Sequence, residues 1–151
     1  MVWGAITYQG VGKLVFVEGR MDSEQYINIL SSGYLQSLYM DGFDMENSFL
    51  QQDNDPKHKS RRTMEFIDRA GMNVLPWPSC SPDLNIIEHV WNDVEVRLRK
   101  RLVQPTNISS LKVAIEEEWY STTLYYIRAL YNSIPRRLEA VKKAKGGYTK
   151  Y

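Results

Sequence analysis

Three prolines fall within the seven residues Pro76-Trp77-Pro78-Ser79-Cys80-Ser81-Pro82, and no helix can pass through such a stretch. It separates two kinds of hydrophobic pattern. Before it the apolar runs are short. Residues 2–7 and 13–17 are β-rich, and Gln9-Gly10-Val11-Gly12 between them signals a turn, so a hairpin is expected. Asp22 or Ser23 offers an N-cap to a helical segment in which Tyr26, Leu30, Tyr34 and Leu38 recur every four residues, with Gly42 closing the region. Residues 48–52 form a strand candidate that runs straight into Asp53-Asn54-Asp55-Pro56. Residues 59–70 are expected as a helix stopped by Gly71, and Asn73-Val74-Leu75 as another strand.

After the proline stretch the period changes. Leu84, Ile87, Trp91, Val94, Leu98 and Leu102 step by three or four, which predicts one long helix with Trp91 in the core. Gln104-Pro105-Thr106 breaks it. Ser109 or Ser110 can cap a helix through Trp119, and Asn107-Ile108-Ser109, though it matches a glycosylation acceptor, reads as a helix cap. Two further helices are expected, from Leu124 and from Pro135. Strands that alternate with helices and then give way to them predict a mixed α/β sheet with a helical C-terminal layer. At 151 residues the expectation is a single domain, residues 1–151. With 43% hydrophobic and 25% charged residues, long disorder and collagen are excluded, and the single Cys80 excludes a disulfide scaffold. No apolar run approaches the ~18 residues of a membrane span, and the N-terminus lacks the basic region of a signal peptide. The net charge of +1 hides an asymmetry: residues 1–55 carry two basic and eight acidic side chains, and residues 107–151 carry eight and four. Nucleic-acid binding is therefore permitted locally rather than announced globally.

Two carboxylates hold unusual positions. Asp53 follows an apolar strand, and ligands of open α/β sheets gather outside the carboxyl ends of strands. Asp-Asn-Asp-Pro is also a good turn sequence in its own right. Glu88 sits at the edge of the apolar stripe of the long helix, where a carboxylate half turned towards the core needs a partner, although a first-turn glutamate also suits the helix dipole. Glu95 competes as the inward carboxylate. It lies roughly 10 Å further along the helix, so the two cannot hold one ion. His58, His89 and Cys80 match no common zinc spacing.

Phe49-Leu50-Gln51-Gln52-Asp53-Asn54-Asp55-Pro56-Lys57-His58 resembles the signature around the second aspartate of Tc/mariner superfamily transposases. Trp77-Pro78-Ser79-Cys80-Ser81-Pro82-Asp83-Leu84-Asn85-Ile86-Ile87-Glu88-His89-Val90-Trp91 resembles the signature around their final glutamate. Between Asp53 and Glu88 lie 34 residues, the spacing of the glutamate-bearing branch. Met1-Val2-Trp3-Gly4 is similar to the strand after the first catalytic aspartate. Asn132-Ser133-Ile134-Pro135-Arg136-Arg137 and Lys145-Gly146-Gly147-Tyr148-Thr149-Lys150-Tyr151 are similar to the family's C-terminus. The resemblance runs in order along essentially the whole chain.

It implies the C-terminal part of a DDE endonuclease domain of ribonuclease H-like fold. There Asp, Asp and Glu hold two Mg²⁺ (or Mn²⁺) ions for DNA cleavage and strand transfer. Hard cations take oxygen ligands, and two of them about 3.5–4 Å apart stabilise the attacking and the leaving oxygen. Asp53 and Glu88 are then the catalytic, metal-holding residues. By the same resemblance the first aspartate, its strand and a helix-turn-helix region belong upstream of Val2. The expectation is a sheet lacking its first strand and a chain inactive alone. Lys57, His58, Lys59, Arg61 and Arg62 are expected to meet DNA phosphates. Arg136, Arg137, Lys142, Lys143 and Lys145 form a basic tail, expected on a solvated helix face or in DNA contact or nuclear import. The implied partners are transposon-end and target DNA, with self-association, in the nucleus, and with neither a membrane nor a small-molecule substrate. The rival expectations are a catalytically inactive nucleic-acid-binding remnant and a protein-interaction module that pairs with an intact transposase.

Overall fold

The structure, a computed structural model, describes residues 1–35, 38, 47–78, 81–145, 147 and 149. Gly42, Cys80 and much of the C-terminal motif from Gly146 lie outside the described residues. The chain divides into two compact units: Met1–Gly4 with Lys13–Cys80, and Ala5–Gly12 with Ser81–Tyr151.

The chain opens with four short strands, β1 (Val2–Trp3), β2 (Ile6–Thr7), β3 (Gly10–Val11) and β4 (Val15–Phe16). In the first unit β1 pairs antiparallel with β4, Val2 opposite Phe16 and Trp3 opposite Val15. In the second unit β2 pairs with β3, Ile6 opposite Val11 and Thr7 opposite Gly10. The expected hairpin pairing is present, but Gly10 and Val11 belong to the returning strand and the turn is Tyr8-Gln9. Gly10 takes φ 140°, a conformation open to glycine and strained for other residues.

The rest of the first unit builds towards Asp53. Helix α1 (Ser23–Ile29) starts in a capping box: the Gln25 N–H donates to Asp22 Oδ1 at 2.8 Å, and the Asp22 N–H donates to Gln25 Oε1 at 3.2 Å. The expected α-helical stripe then gives way to a π-helix, Leu30–Leu35. Leu30 and Leu35 are both buried, and their five-residue spacing matches the wider i→i+5 turn. Strand β5 (Phe49–Leu50), helix α2 (Arg61–Arg69) and strand β6 (Asn73–Val74) make a parallel crossover, with Leu50 opposite Val74. Ser60 caps α2 by accepting from the Thr63 N–H at 3.2 Å, and Gly71 closes it at φ 65°. Tyr26, Ile29, Leu30, Leu50, Ile67 and Met72 form the centre of the core. Burial of Leu50 fixes the carboxyl end of β5, three residues before Asp53.

The second unit is mainly helical: α3 (Ile87–Arg99), α4 (Ile108–Tyr120) and α5 (Leu124–Lys143). Helix α3 is shorter than its apolar period. Leu84 lies in a turn whose Leu84 and Asn85 N–H groups donate to Ser81 O and Pro82 O at 3.3 and 3.0 Å. Leu102 lies beyond the other end and is fully exposed. The face of α3 that is buried is Val90 and Val94, continuing from Ile86, whereas Trp91 is half-buried and stacks on Trp119 with ring centroids 4.5 Å apart. Trp119 is the fully buried tryptophan, and its indole N–H donates to Gly12 O at 2.9 Å. Asn107, not Ser109, caps α4, and it does so in a reciprocal box with Ser110. The two helices expected from Leu124 and Pro135 are one. A proline inside a helix removes a hydrogen bond and crowds the preceding turn. Here Ile127, Leu130, Ser133 and Arg137 carry one buried face straight past Pro135 and hold the helix together. Arg137 is thus not on a solvated basic face. It is 3% exposed and donates to Ser133 Oγ and Asp83 O, both at 2.8 Å.

Candidate active site

The segment from Asp53 to Ser60 has no regular structure, and side chains close its turns. The Asp55 N–H donates to Asp53 Oδ1 at 3.0 Å, and the Lys57 N–H donates to Asp55 Oδ1 at 3.0 Å. These are Asx turns, the local chemistry that Asp and Asn bring to loops. The His58 and Lys59 N–H groups donate to Asp55 O at 2.9 and 3.2 Å. Buried Thr63, from the first turn of α2, donates its hydroxyl to Lys57 O at 2.7 Å. Asn54 Nδ2 donates to Trp77 O at 3.0 Å and so ties the loop to the proline-rich stretch.

Asp53 itself stands out from this frame, its side chain 62% exposed. Its Oδ1 takes the Asp55 N–H and also faces His58 Nδ1 at 2.6 Å. The His58 side chain is only 13% exposed and lies over the Tyr26 ring, centroids 4.1 Å apart. Burial holds the His58 imidazole below the usual histidine range, and the opposing pull of Asp53 does not cancel it. Tyr26 is buried and donates its hydroxyl to Gln52 Oε1 at 2.6 Å. Burial, reinforced by the Asp53 charge, pushes its phenol far above the usual range. Asp55 is held below the carboxylate range by its hydrogen bond and ion pair with Lys57.

Glu88 lies in the second unit, in the first turn of α3. It is exposed rather than half turned to the core, and it accepts from Asn85 Nδ2 at 3.3 Å. Glu95 is exposed and paired with Arg99 one turn on, which removes it as an inward carboxylate. Of the basic residues, Lys59, Arg61 and Arg62 are exposed, with Arg61 3.5 Å from Glu65 and Arg62 3.6 Å from Glu24. Lys57 is engaged by Asp55 and His58 is turned inward onto Tyr26. The residues that sequence reasoning left without a role are Tyr26, Gln52 and Thr63. Tyr26 reads as one more apolar stripe position, yet a buried phenol needs a partner, and that need is the signal that leads to Gln52.

Among the described residues no three His, Cys, Asp or Glu side chains gather into a metal cluster. Asp53 nonetheless has the character of a ligand for a hard cation: an exposed carboxylate with Oδ1 engaged and Oδ2 without a hydrogen bond among the described residues.

The fold defines the class first. The structure superposes on that of the Mos1 transposase catalytic domain with Mn and raltegravir at a TM-score of 0.87 and 17% identity, covering 99% of this chain and 76% of that one. It superposes on the Mos1 strand transfer complex at a TM-score of 0.81 and 17% identity, covering 99% of this chain and 43% of that one. This is the ribonuclease H-like fold of DDE enzymes. The family model described as DDE superfamily endonuclease matches residues 1–112, and the chain belongs to that family, in its Tc/mariner transposase branch. It is 38% identical over 155 residues to the Tc1 transposase of Caenorhabditis elegans and 38% identical over 152 residues to the Tcb1 transposase of Caenorhabditis briggsae. All of this chain is matched in both, against 54% of each relative, so the chain spans about half the length of the curated relatives it matches.

Proposed function

We propose that this chain supplies the DNA-cutting centre of a Tc/mariner-type transposase, acting in DNA cleavage and strand transfer at transposon ends in the nucleus. Asp53 and Glu88 are the carboxylates that hold its Mg²⁺ or Mn²⁺. The observation that carries the reading is the Asp53 carboxylate, exposed at the carboxyl end of β5 with Oδ1 braced and Oδ2 open. Divalent ions bound there would neutralise charge at the scissile phosphate and raise the nucleophilicity of the attacking oxygen. The chain's own residues do the rest. Asp53 and Glu88 give oxygen donors, and Lys59, Arg61 and Arg62 meet the flanking phosphates, which steer and orient the duplex without reading its sequence.

The test is Mn²⁺ titration of the 151-residue chain followed by electron paramagnetic resonance, alongside Asp53→Asn and Glu88→Gln. Each substitution should weaken Mn²⁺ binding at least tenfold while the circular dichroism spectrum stays unchanged. Binding equal to the parent in both variants would move the metal site elsewhere. Duplex DNA binding should weaken linearly in log–log form with salt, and the slope should shrink in an Arg61→Ala/Arg62→Ala variant.

A further inference from the structure

His58 carries an anomaly. Its Nε2 is buried and has no hydrogen-bond partner, the one such side-chain atom among the described residues. Buried polar atoms are paired in nearly all cases, and an orphan calls for a reason. Among the described residues the ring has one polar link, from Nδ1 to Asp53 Oδ1 at 2.6 Å. Everything else about the ring is clamping. Tyr26 lies against its face at 4.1 Å, Gln52 Nε2 donates to the His58 carbonyl at 3.4 Å, and Gln52 Oε1 holds the Tyr26 hydroxyl. An ionised carboxylate only accepts, so the hydrogen of this bond sits on Nδ1 whatever the charge of the ring.

We propose that His58 is a positioning residue for Asp53: its Nδ1–H locks the carboxylate so that Oδ1 is retained by the protein and Oδ2 alone is presented to a divalent cation. This rests on the reading of Asp53 as a metal ligand and goes beyond it by assigning His58, which the sequence offers as a phosphate contact, to the metal's supporting shell. The physical logic is that a carboxylate on an exposed loop rotates freely about its last torsion. Two donors on one oxygen stop that rotation, and neighbours that orient a ligand in this way change metal affinity by about 10–100-fold when removed. The burial that strands Nε2 is the same burial that holds Nδ1 still.

The substitutions that test this separate the donor from the ring. His58→Phe keeps the aromatic contact with Tyr26 and deletes the donor. His58→Asn keeps an N–H at the δ position and deletes the ring. Mn²⁺ binding to the 151-residue chain should fall about 10–100-fold in His58→Phe, with thermal stability held or raised because the orphan nitrogen is gone. Binding in His58→Asn should return to within about threefold of the parent, as the retained N–H can still engage Oδ1. Independently of any metal, nitrogen-15 spectra of the metal-free parent chain should show His58 protonated on Nδ1. A ring protonated on Nε2 alone overturns the proposal even if neither variant folds. Unchanged Mn²⁺ affinity in His58→Phe, or an equal loss in Phe and Asn, also overturns it. Loss of DNA-binding salt slope in His58→Phe with Mn²⁺ affinity intact would make His58 a phosphate contact instead. If Asp53→Asn binds Mn²⁺ like the parent, or the parent binds none, it is the assignment of Asp53 as a ligand that falls.

Discussion

Asp53 stands in a loop whose turns are closed by Asp55, Gln52 and Thr63, whereas Glu88 stands on the first turn of a helix whose N-cap residue, Ile86, makes no side-chain capping bond. The contrast shows two ways of aiming a carboxylate. A loop has no repeating backbone geometry, so each direction in it must be built from a hydrogen bond. A helix gives direction through its period, so the glutamate needs only that its helix be held in place. The support for Asp53 is therefore polar and local, whereas Glu88, beside its hydrogen bond from Asn85, relies on the apolar packing that holds its helix. Behind α3 lie Val90, Val94 and the stacked Trp91 and Trp119.

That difference can be broken at several strengths. The largest effect should come from the apolar side. Trp119→Ala should destabilise the protein by about 3–5 kcal/mol in denaturant melts, as a fully buried tryptophan does, and Trp91→Ala by about half as much because Trp91 is half-buried. Equal losses would mean that the stack, not burial, carries the energy. Next comes the polar side. Thr63→Val leaves Lys57 O without its donor and should cost about 1–3 kcal/mol, with faster amide exchange at residues 57–59 as the sign that the loop has loosened.

Alkaline pH gives a third comparison. Tyr26 in the first unit and Tyr126 in the second both have phenols raised by burial. The unfolded chain releases these protons from about pH 10, and the folded chain does not. Stability is therefore full below about pH 10 and drains as pH rises above it. Tyr26→Phe should flatten that loss more than Tyr126→Phe. A steeper loss in either variant would reverse the sign. The smallest effect is expected at Glu88. Exposed as it is, Glu88→Gln should change stability by no more than about 0.5 kcal/mol in metal-free buffer, while Mn²⁺ binding weakens. A metal-independent loss of a kcal/mol or more would make Glu88 a structural residue.

What the sequence discloses follows the range over which each cause acts. Asp22 and Gly71 are legible as caps because their partners lie within three or four residues, whereas Ser60, expected inside a helix from residue 59, turns out to cap it. The strands at residues 49–50 and 73–74 are legible because turn signals bound them. Pro135 misleads because a burial pattern running from Ile127 to Arg137 outweighs one residue's local preference. Leu102 misleads because a periodic leucine says nothing about whether a neighbour is there to cover it. The same holds at the site. The motifs and their spacing single out Asp53 and Glu88, but the inward turn of His58 depends on Tyr26, 32 residues earlier, and no local rule reaches that far. The exposure of Glu88 departs from the half-inward position its helical period predicts because α3 buries the face of Val90 and Val94 instead.

The second unit borrows residues 5–12 from the N-terminal end of the chain, where Gly12 O accepts from Trp119 and Ile6 O accepts from Tyr131 at 3.1 Å. In genetic terms this makes the helical half non-modular. A single crossover in the codons for residues 76–82 would join one protein's helices to another protein's hairpin tip. The tryptophan and tyrosine would then meet backbone they did not evolve beside. Exchange between related genes must either replace both segments at once or be limited to sequences whose hairpin tips already have the same shape.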